Sequence, residues 1–204
     1  MAIDESLLRQ ARMPVLRIYG WEEACVSIGY FQKTSVVPPS TPFVRRYTGG
    51  GLVEHGRDLT YTLVLPPDHP LNLAGTLPSY RSIHTAVSAA LRAAGVDCQL
   101  ATAQPEKDHA SCFLKPVPAD VLDPKGGKKL AGAAQRRTRQ GCLHQGSILL
   151  PGPIPMNLPK LLTEHLAQEL RLEWVAGLRT DDEKDLARRL VQERYSTRDW
   201  NFSR

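Results

Sequence analysis

The sequence has no apolar run approaching the ~20 residues that a membrane-crossing helix needs. Its longest such stretches, like the one around Ser147–Leu150, fall far short. It also lacks a secretory opening, because Met1-Ala2-Ile3-Asp4-Glu5 has no basic start and no long apolar segment. Aromatic residues are scarce at 6% and RNA-binding signatures are missing, which turns the reading away from nucleic acid. None of the four cysteines, Cys25, Cys98, Cys112 and Cys142, stands in a C-x-x-C pair, so spacing points to no metal site. There is no internal repeat and no low-complexity segment. The expectation is a cytoplasmic globular protein, with neither membrane nor nucleic acid as partner.

What is present fits that class. A chain of 204 residues corresponds to about one domain, taken here as 1–204. A chain of this size buries roughly 70% of its unfolded surface. Basic residues outnumber acidic ones, 26 to 21, for a net charge of +5. An acidic protein or a phosphate-bearing ligand suits that balance. The cysteines read as small buried hydrophobes, with Cys112 apart because it lies in a loop-like stretch.

Residues 15–31 read as two strands around a polar turn at Glu22-Glu23. Residues 36–42 form a proline-rich connection, and Phe43–Arg46 leads into a glycine turn. Leu59–Leu65 alternates threonine with apolar residues, the pattern of a half-buried strand. Tyr80–Ala94 has a helical apolar face, with Gly95 placed for a left-handed cap and a strand at Val96–Leu100. Residues 101–127 read as irregular. Lys128–Ala134 and Cys142–Leu150 read as strands joined by a basic turn, Gln135–Gly141. A helix is predicted from Asn157 to about Leu170. A second starts at the Thr180–Glu183 capping box and sends Leu186, Leu190 and Val191 inward. Strands, one helix, strands and then helices give α+β with a mixed, largely antiparallel sheet.

Four segments could carry chemistry. Arg45-Arg46-Tyr47-Thr48-Gly49-Gly50-Gly51 could bring backbone N–H groups and guanidinium groups to a ligand, or simply form a hairpin turn with solvated arginines. Lys128-Lys129-Leu130-Ala131-Gly132-Ala133-Ala134 joins a lysine to small residues that leave room for a bound chain, or is a solvated basic hairpin. Cys112 is either a reachable thiolate or an inert thiol. His144 is an acid–base group or, more often for a strand histidine, a satisfied structural one.

In this order the segments resemble the lipoate/octanoate protein ligase and transferase superfamily, which also contains biotin protein ligase. The match runs from Asp4-Glu5-Ser6-Leu7-Leu8 and Val15–Trp21 through Val26-Ser27-Ile28-Gly29-Tyr30-Phe31-Gln32. It continues with R-R-x-[ST]-G-G-G-x-V-x-H at 45–55, Asp58-Leu59-Thr60-Tyr61, K-K-L-A-G-A-A-Q-R at 128–136 and L-H-Q-G-S at 143–147. The resemblance implies a mixed sheet flanked by helices, like the class II synthetase and biotin ligase core. It implies Cys112 and Lys129 as catalytic residues. The acyl or substrate-binding set it implies is Arg45, Arg46, Thr48, Gly49, Gly50, Gly51, His55, Gly132, Ala133, Gln135, His144, Gly146 and Ser147.

Two reactions compete under that resemblance. An octanoyltransferase takes octanoate from acyl carrier protein onto Cys112 and passes it to a lysine of a lipoyl domain, in 2-oxoacid dehydrogenases or glycine cleavage H protein, with no cofactor. A ligase activates free lipoate with ATP and magnesium. Cys112-Phe113 and Asp58-Leu59-Thr60-Tyr61 look like the transferase, and Gly51 looks like the ligase. A non-catalytic acyl- or adenylate-binding module is the third reading. Arg136, Arg137 and Arg139 are candidates for steering acidic partners, and a monomer is expected.

Overall fold

A computed structural model describes residues 1–102 and 117–203 of the chain. The elements in order are α1 (Ala2–Gln10), β1 (Val15–Tyr19), β2 (Cys25–Ile28), β3 (Phe43–Arg45), β4 (Val53–His55), β5 (Leu59–Leu65), α2 (Pro70–Leu73), α3 (Thr76–Ala93), β6 (Gln99–Leu100), β7 (Val121–Leu122), β8 (Lys129–Thr138), β9 (Gly141–Ile148), α4 (Leu158–Leu170), α5 (Asp181–Leu190) and α6 (Arg198–Asn201). Among the described residues the strands form two sheets. The larger is antiparallel with order β1-β5-β9-β8-β7-β6. The smaller has order β3-β2-β4, with β2 and β3 parallel. The α+β class and the mostly antiparallel pairing match the sequence reading.

One face of the large sheet carries the main core. Tyr61, Leu63 and Leu65 of β5 and Cys142 and Ile148 of β9 meet Ile83, Val87, Ala90 and Leu91 of α3 and Leu158, Leu162 and Leu166 of α4. The i, i+4, i+8 spacing of those three leucines puts them on one stripe of α4. The other face carries α1, whose Leu7 and Leu8 pack on Val64 and Leu143. β5 is therefore buried on both sides from Thr60 to Leu65, not half-buried as its alternation implies. The threonines Thr60 and Thr62 lie under the second cover rather than in water.

Several boundaries differ from the sequence reading. β1 and β2 form where expected but do not pair; they belong to different sheets. The sequence pattern predicts neither α1 nor β4. α1 is short, and its buried face includes Asp4 and Glu5, which hide an amphipathic pattern. α3 begins at Thr76, four residues before Tyr80, and ends as expected with Gly95 at φ +82°. The strand at Val96–Leu100 is only Gln99–Leu100, and β7 forms inside the stretch read as irregular. β8 runs on to Thr138, so the connection to β9 is just Arg139 and Gln140, not a turn over 135–141. Charge hid that strand, because Arg136 and Arg137 are held by internal acceptors. The Thr180 capping box forms in both directions. Leu190 is buried as expected, whereas Val191 is 46% exposed, since the helix gives way to a wider π-type turn at Val191–Tyr195. Cys98 and Cys142 are buried and Cys25 is half-buried; Cys112 lies outside the described residues.

A cavity between two sheets

A cavity of about 180 Å³ opens between the two sheets. Its floor is the edge-to-edge run of β8 and β9, at Gly132, Ala133, Ala134, Gln145, Gly146 and Ser147. Its roof is Ser27, Arg46, Gly50, Gly51, Val53 and His55, and Lys129 and Val117 stand at one side. In the β8–β9 register Gly132 faces Ser147 and Ala133 faces Gly146, so the floor is built of small residues.

Lys129 enters this space on an anchor. Its Nζ lies 2.8 Å from Asp120 Oδ2, with the lysine 13% exposed and the aspartate fully buried. Tyr80 Oη donates to Asp120 Oδ1 at 2.6 Å, and the Val117 backbone N–H donates to Asp120 Oδ2 at 2.8 Å. The carboxylate thus accepts from three groups, and the bond to the lysine is a charge-assisted one. Gly132 makes the arrangement possible. A Cβ there would occupy the space of the Lys129 Cε and Nζ atoms.

The roof is fixed by Arg46. Its guanidinium donates to Ser27 O (2.8 Å), Ser27 Oγ (2.7 Å), Gly49 O (3.0 Å) and Gly51 O (2.6 Å). The glycine turn is thus wrapped around the arginine's own side chain. Burial lowers the Arg46 pKa to about 10, with Tyr19 opposing, so the group remains cationic at neutral pH. Gly50 sits at φ +84° with Ala134 beneath it, a backbone position that favours glycine.

A second polar chain lines the roof. Ser27 Oγ lies 2.6 Å from His55 Nε2, and His55 Nδ1 lies 2.9 Å from Asp58 Oδ2. That oxygen also accepts from Thr60 Oγ1 (2.8 Å) and Ser147 Oγ (2.7 Å). Trp21 stacks on the imidazole at 4.0 Å between centroids, 20° from parallel. Burial works to raise the Asp58 pKa, but the hydrogen bonds and charge of His55, with those of Ser147 and Thr60, outweigh it and leave the carboxyl below its usual range.

The structure sorts the sequence-derived residues. Lys129, Arg46, Gly50, Gly51, His55, Gly132, Ala133, Gly146 and Ser147 come together around the cavity. Thr48 lies just behind it and donates to Gln145 Oε1 at 2.8 Å. Arg45 does not line it. It is fully buried and donates to the carbonyls of Gly29, Tyr30, Gln32, Trp200 and Asn201, tying α6 to the turn after β2. Gly49 is likewise outside the lining. His144 and Gln135 point to the opposite face of the sheet, since strand neighbours alternate. There Gln135 Nε2 donates to His144 Nδ1 at 3.0 Å, and His144 Nε2 lies 3.2 Å from Tyr61 Oη. Burial pushes the His144 pKa well down, with His84 and Arg137 adding to the fall. Of the three arginines read as steering groups, Arg136 stacks on Tyr47 and donates to its carbonyl, and Arg137 donates to Asn72, Gly75 and Ser79. Only Arg139 is exposed.

Sequence reasoning missed Ser27, Asp120, Tyr19 and Gln145 as lining or anchoring groups. Gln145 sits between two named residues of L-H-Q-G-S. It donates to Asp4 Oδ2 at 2.7 Å, which also accepts from Tyr19 Oη. Two cysteines are poor thiolates: burial raises the pKa of Cys25, helped by Asp58 and Glu23, and burial raises that of Cys142 against Arg137. Among the described residues no cluster of His, Cys, Asp and Glu could hold a metal ion, and no helix is long and apolar enough to cross a membrane.

Known proteins are similar to this chain in sequence and fold. The lipoyl protein ligase A/B catalytic domain matches residues 1–177. The octanoyltransferase LipM of Moorella thermoacetica is 37% identical over 165 residues, covering 74% of this chain and 60% of that one. The chain thus spans less than two thirds of that relative's length. A lipoate-protein ligase A solved with ATP superposes with a TM-score of 0.80 at 25% identity, over 98% of this chain and 92% of that one. A bi-partite lipoate protein ligase of Thermoplasma acidophilum, from a structural analysis that includes its E2 lipoyl domain, gives 0.72 at 24% identity, over 98% and 89%.

Proposed function

The chain belongs to the lipoyl protein ligase A/B catalytic domain family, and from that premise we propose that it transfers an octanoyl group to a lysine of a lipoyl domain. Residues 1–204 act as a single catalytic domain. The donor is octanoyl-acyl carrier protein and the carrier is Cys112. The acceptors are lipoyl domains of 2-oxoacid dehydrogenases or glycine cleavage H protein. The observation that carries the reading is the cavity itself: a floor of glycine and alanine beside an anchored lysine. An acyl chain lies along such a floor, with Lys129 Nζ placed for the carbonyl where negative charge develops.

The chemistry is a thioester exchange followed by aminolysis. The Cys112 thiolate displaces the carrier thiol, and no cofactor is consumed. The acceptor amine then displaces Cys112, forming the more stable amide. Cys112 lies outside the described residues. Val117, five residues later, lines the cavity, and five residues of extended chain span at most about 18 Å. The net charge of +5 favours acidic donors and acceptors.

A second reading has its own support. Gly51 completes a triple glycine, and the fold is shared with an ATP-bound ligase. Intact mass after mixing with octanoyl-acyl carrier protein, without ATP, separates the two. A hydroxylamine-sensitive octanoyl adduct, missing in Cys112→Ser, is expected. No adduct, together with lipoyl-domain acylation only on adding free acid, ATP and magnesium, would make the chain a ligase.

A further inference from the structure

The cavity holds two separate polar systems, and acyl transfer as described uses only one. Lys129 belongs to the Asp120 anchor, its Nζ 2.8 Å from the carboxylate. The second system is Ser27, His55 and Asp58. Its hydrogen-bond pattern fixes the protons. Asp58 Oδ2 is a carboxylate oxygen, so His55 Nδ1 donates to it. His55 Nε2 is then an acceptor, and the proton on Ser27 Oγ points to it at 2.6 Å. Arg46 Nη1 donates to the same Oγ at 2.7 Å, which holds the hydroxyl in that orientation. One lone pair of Oγ is left over, and Ser27 and His55 both line the cavity.

We propose that Ser27, His55 and Asp58 form the proton relay that deprotonates the incoming lysine. The inference rests on the proposed function only in requiring an amine acceptor; it holds for a thioester or an adenylate donor. The lysine arrives as an ammonium and cannot attack until it loses a proton. Its N–H approaches Ser27 Oγ. The serine passes its own proton to His55 Nε2 and takes one from the ammonium, leaving a neutral amine and an imidazolium stabilised by Asp58. The amine nitrogen then bonds to the acyl carbon while the bond to the leaving group breaks. The remaining extra proton on nitrogen goes to the leaving thiolate, and the imidazolium gives its proton to water. Ser27 touches the substrate, His55 acts through it, and Asp58 is a positioning residue that fixes the imidazole tautomer.

The other charged or titratable groups facing His55 come from four segments. They are Arg46, just past the end of β3, through Ser27, Cys25 across the β2–β4 ladder, and Tyr19 of β1 and Lys129 of β8 around the same cavity. None of them lies within the chain of transfer.

The test is single-turnover acylation across a pH series, with the lipoyl domain or hydroxylamine as acceptor. Hydroxylamine is already neutral at pH 7 and needs no relay. In His55→Gln, transfer to the lipoyl domain is expected to fall 10²- to 10⁴-fold, the usual worth of a positioned base. Raising the pH supplies neutral amine without the relay, so the variant's deficit with the lipoyl domain should narrow as pH rises. With hydroxylamine the deficit should shrink to within a few-fold. An equal deficit with both acceptors, or a deficit with the lipoyl domain that does not narrow as pH rises, overturns the relay. If His55→Gln does not fold, Ser27→Ala interrupts the same chain and is held to the same outcomes. Intact mass on the same samples reads the enzyme adduct. A missing adduct counts against Cys112 as carrier, and the acceptor comparison is then run with octanoate, ATP and magnesium.

Discussion

Lys129 shows how much a single side chain depends on what lies under it. The ammonium is held by Asp120, and Asp120 by Tyr80 and the Val117 N–H. Removing Asp120 leaves a charged lysine with a poorer anchor, whereas removing the lysine leaves a buried carboxylate. Lys129→Met is therefore expected to abolish transfer and lower stability by about 3 kcal/mol, as breaking a buried pair does; denaturant midpoints and acylation rates check both. The histidines on the far face make a pH argument. Burial lowers the His84 pKa to about 4, with Asp120 opposing and Lys129 adding to the fall. The unfolded chain takes up that proton near 6.5 and the folded one only near 4. Stability is thus full above pH 6.5 and is lost as pH drops toward 4, by about 3 kcal/mol. His144 acts with the same sign. Urea unfolding at pH 7 and pH 4.5 should show the loss, and a folded His84→Gln should show less of it. The sequence made Lys129, His55 and Ser147 visible as candidates. It hid Asp120 and Ser27, because their roles come from partners 9 and 28 residues away.

At the scale of elements, the local rules worked where local chemistry decides. The capping box at Thr180, the cap at Gly95 and the span of β5 are all set by near neighbours. They failed where tertiary contacts decide. β8 continues through Arg136 and Arg137 because Tyr47, Asn72, Gly75 and Ser79 supply acceptors. α1 escaped notice because its buried face includes carboxylates: Asp4 meets Arg17 and Tyr19, and Glu5 meets Arg9, Arg194 and Tyr195. Gly132 offers a test at this scale. The atoms that an alanine Cβ would meet are the flexible end of Lys129. Gly132→Ala is expected to keep the fold, with a Tm within a few degrees of the parent, while transfer falls at least 100-fold. Loss of the folded state instead would show that β8 has no slack.

Across the whole molecule, Arg45 ties α6 to the segments that carry the cavity roof, beside the packing of Trp200 on Tyr30 and Tyr47. Arg45 donates to Trp200 and Asn201 carbonyls on one side and to Gly29, Tyr30 and Gln32 on the other, and Trp200 Nε1 donates back to the Arg45 carbonyl. Arg45→Met strands buried carbonyls, each worth about 1–3 kcal/mol. A loss of at least 3 kcal/mol is expected by denaturant unfolding, together with a weaker roof. Association with acidic partners should fall with rising salt. Among the arginines first read as steering groups, only Arg139→Glu should reduce the on-rate with the fold intact, because Arg136 and Arg137 are occupied internally.

Roof and floor belong to different sheets, and among the described residues no strand ladder joins them. Side chains bridge them instead, at Thr48 to Gln145 and Ser147 to Asp58. The spacing between the layers can therefore change without breaking a β-ladder. A cavity of this build is an elastic gauge rather than a fixed ruler. Donors one or two carbons longer or shorter than the preferred chain should be slowed by degrees, with no sharp cut-off.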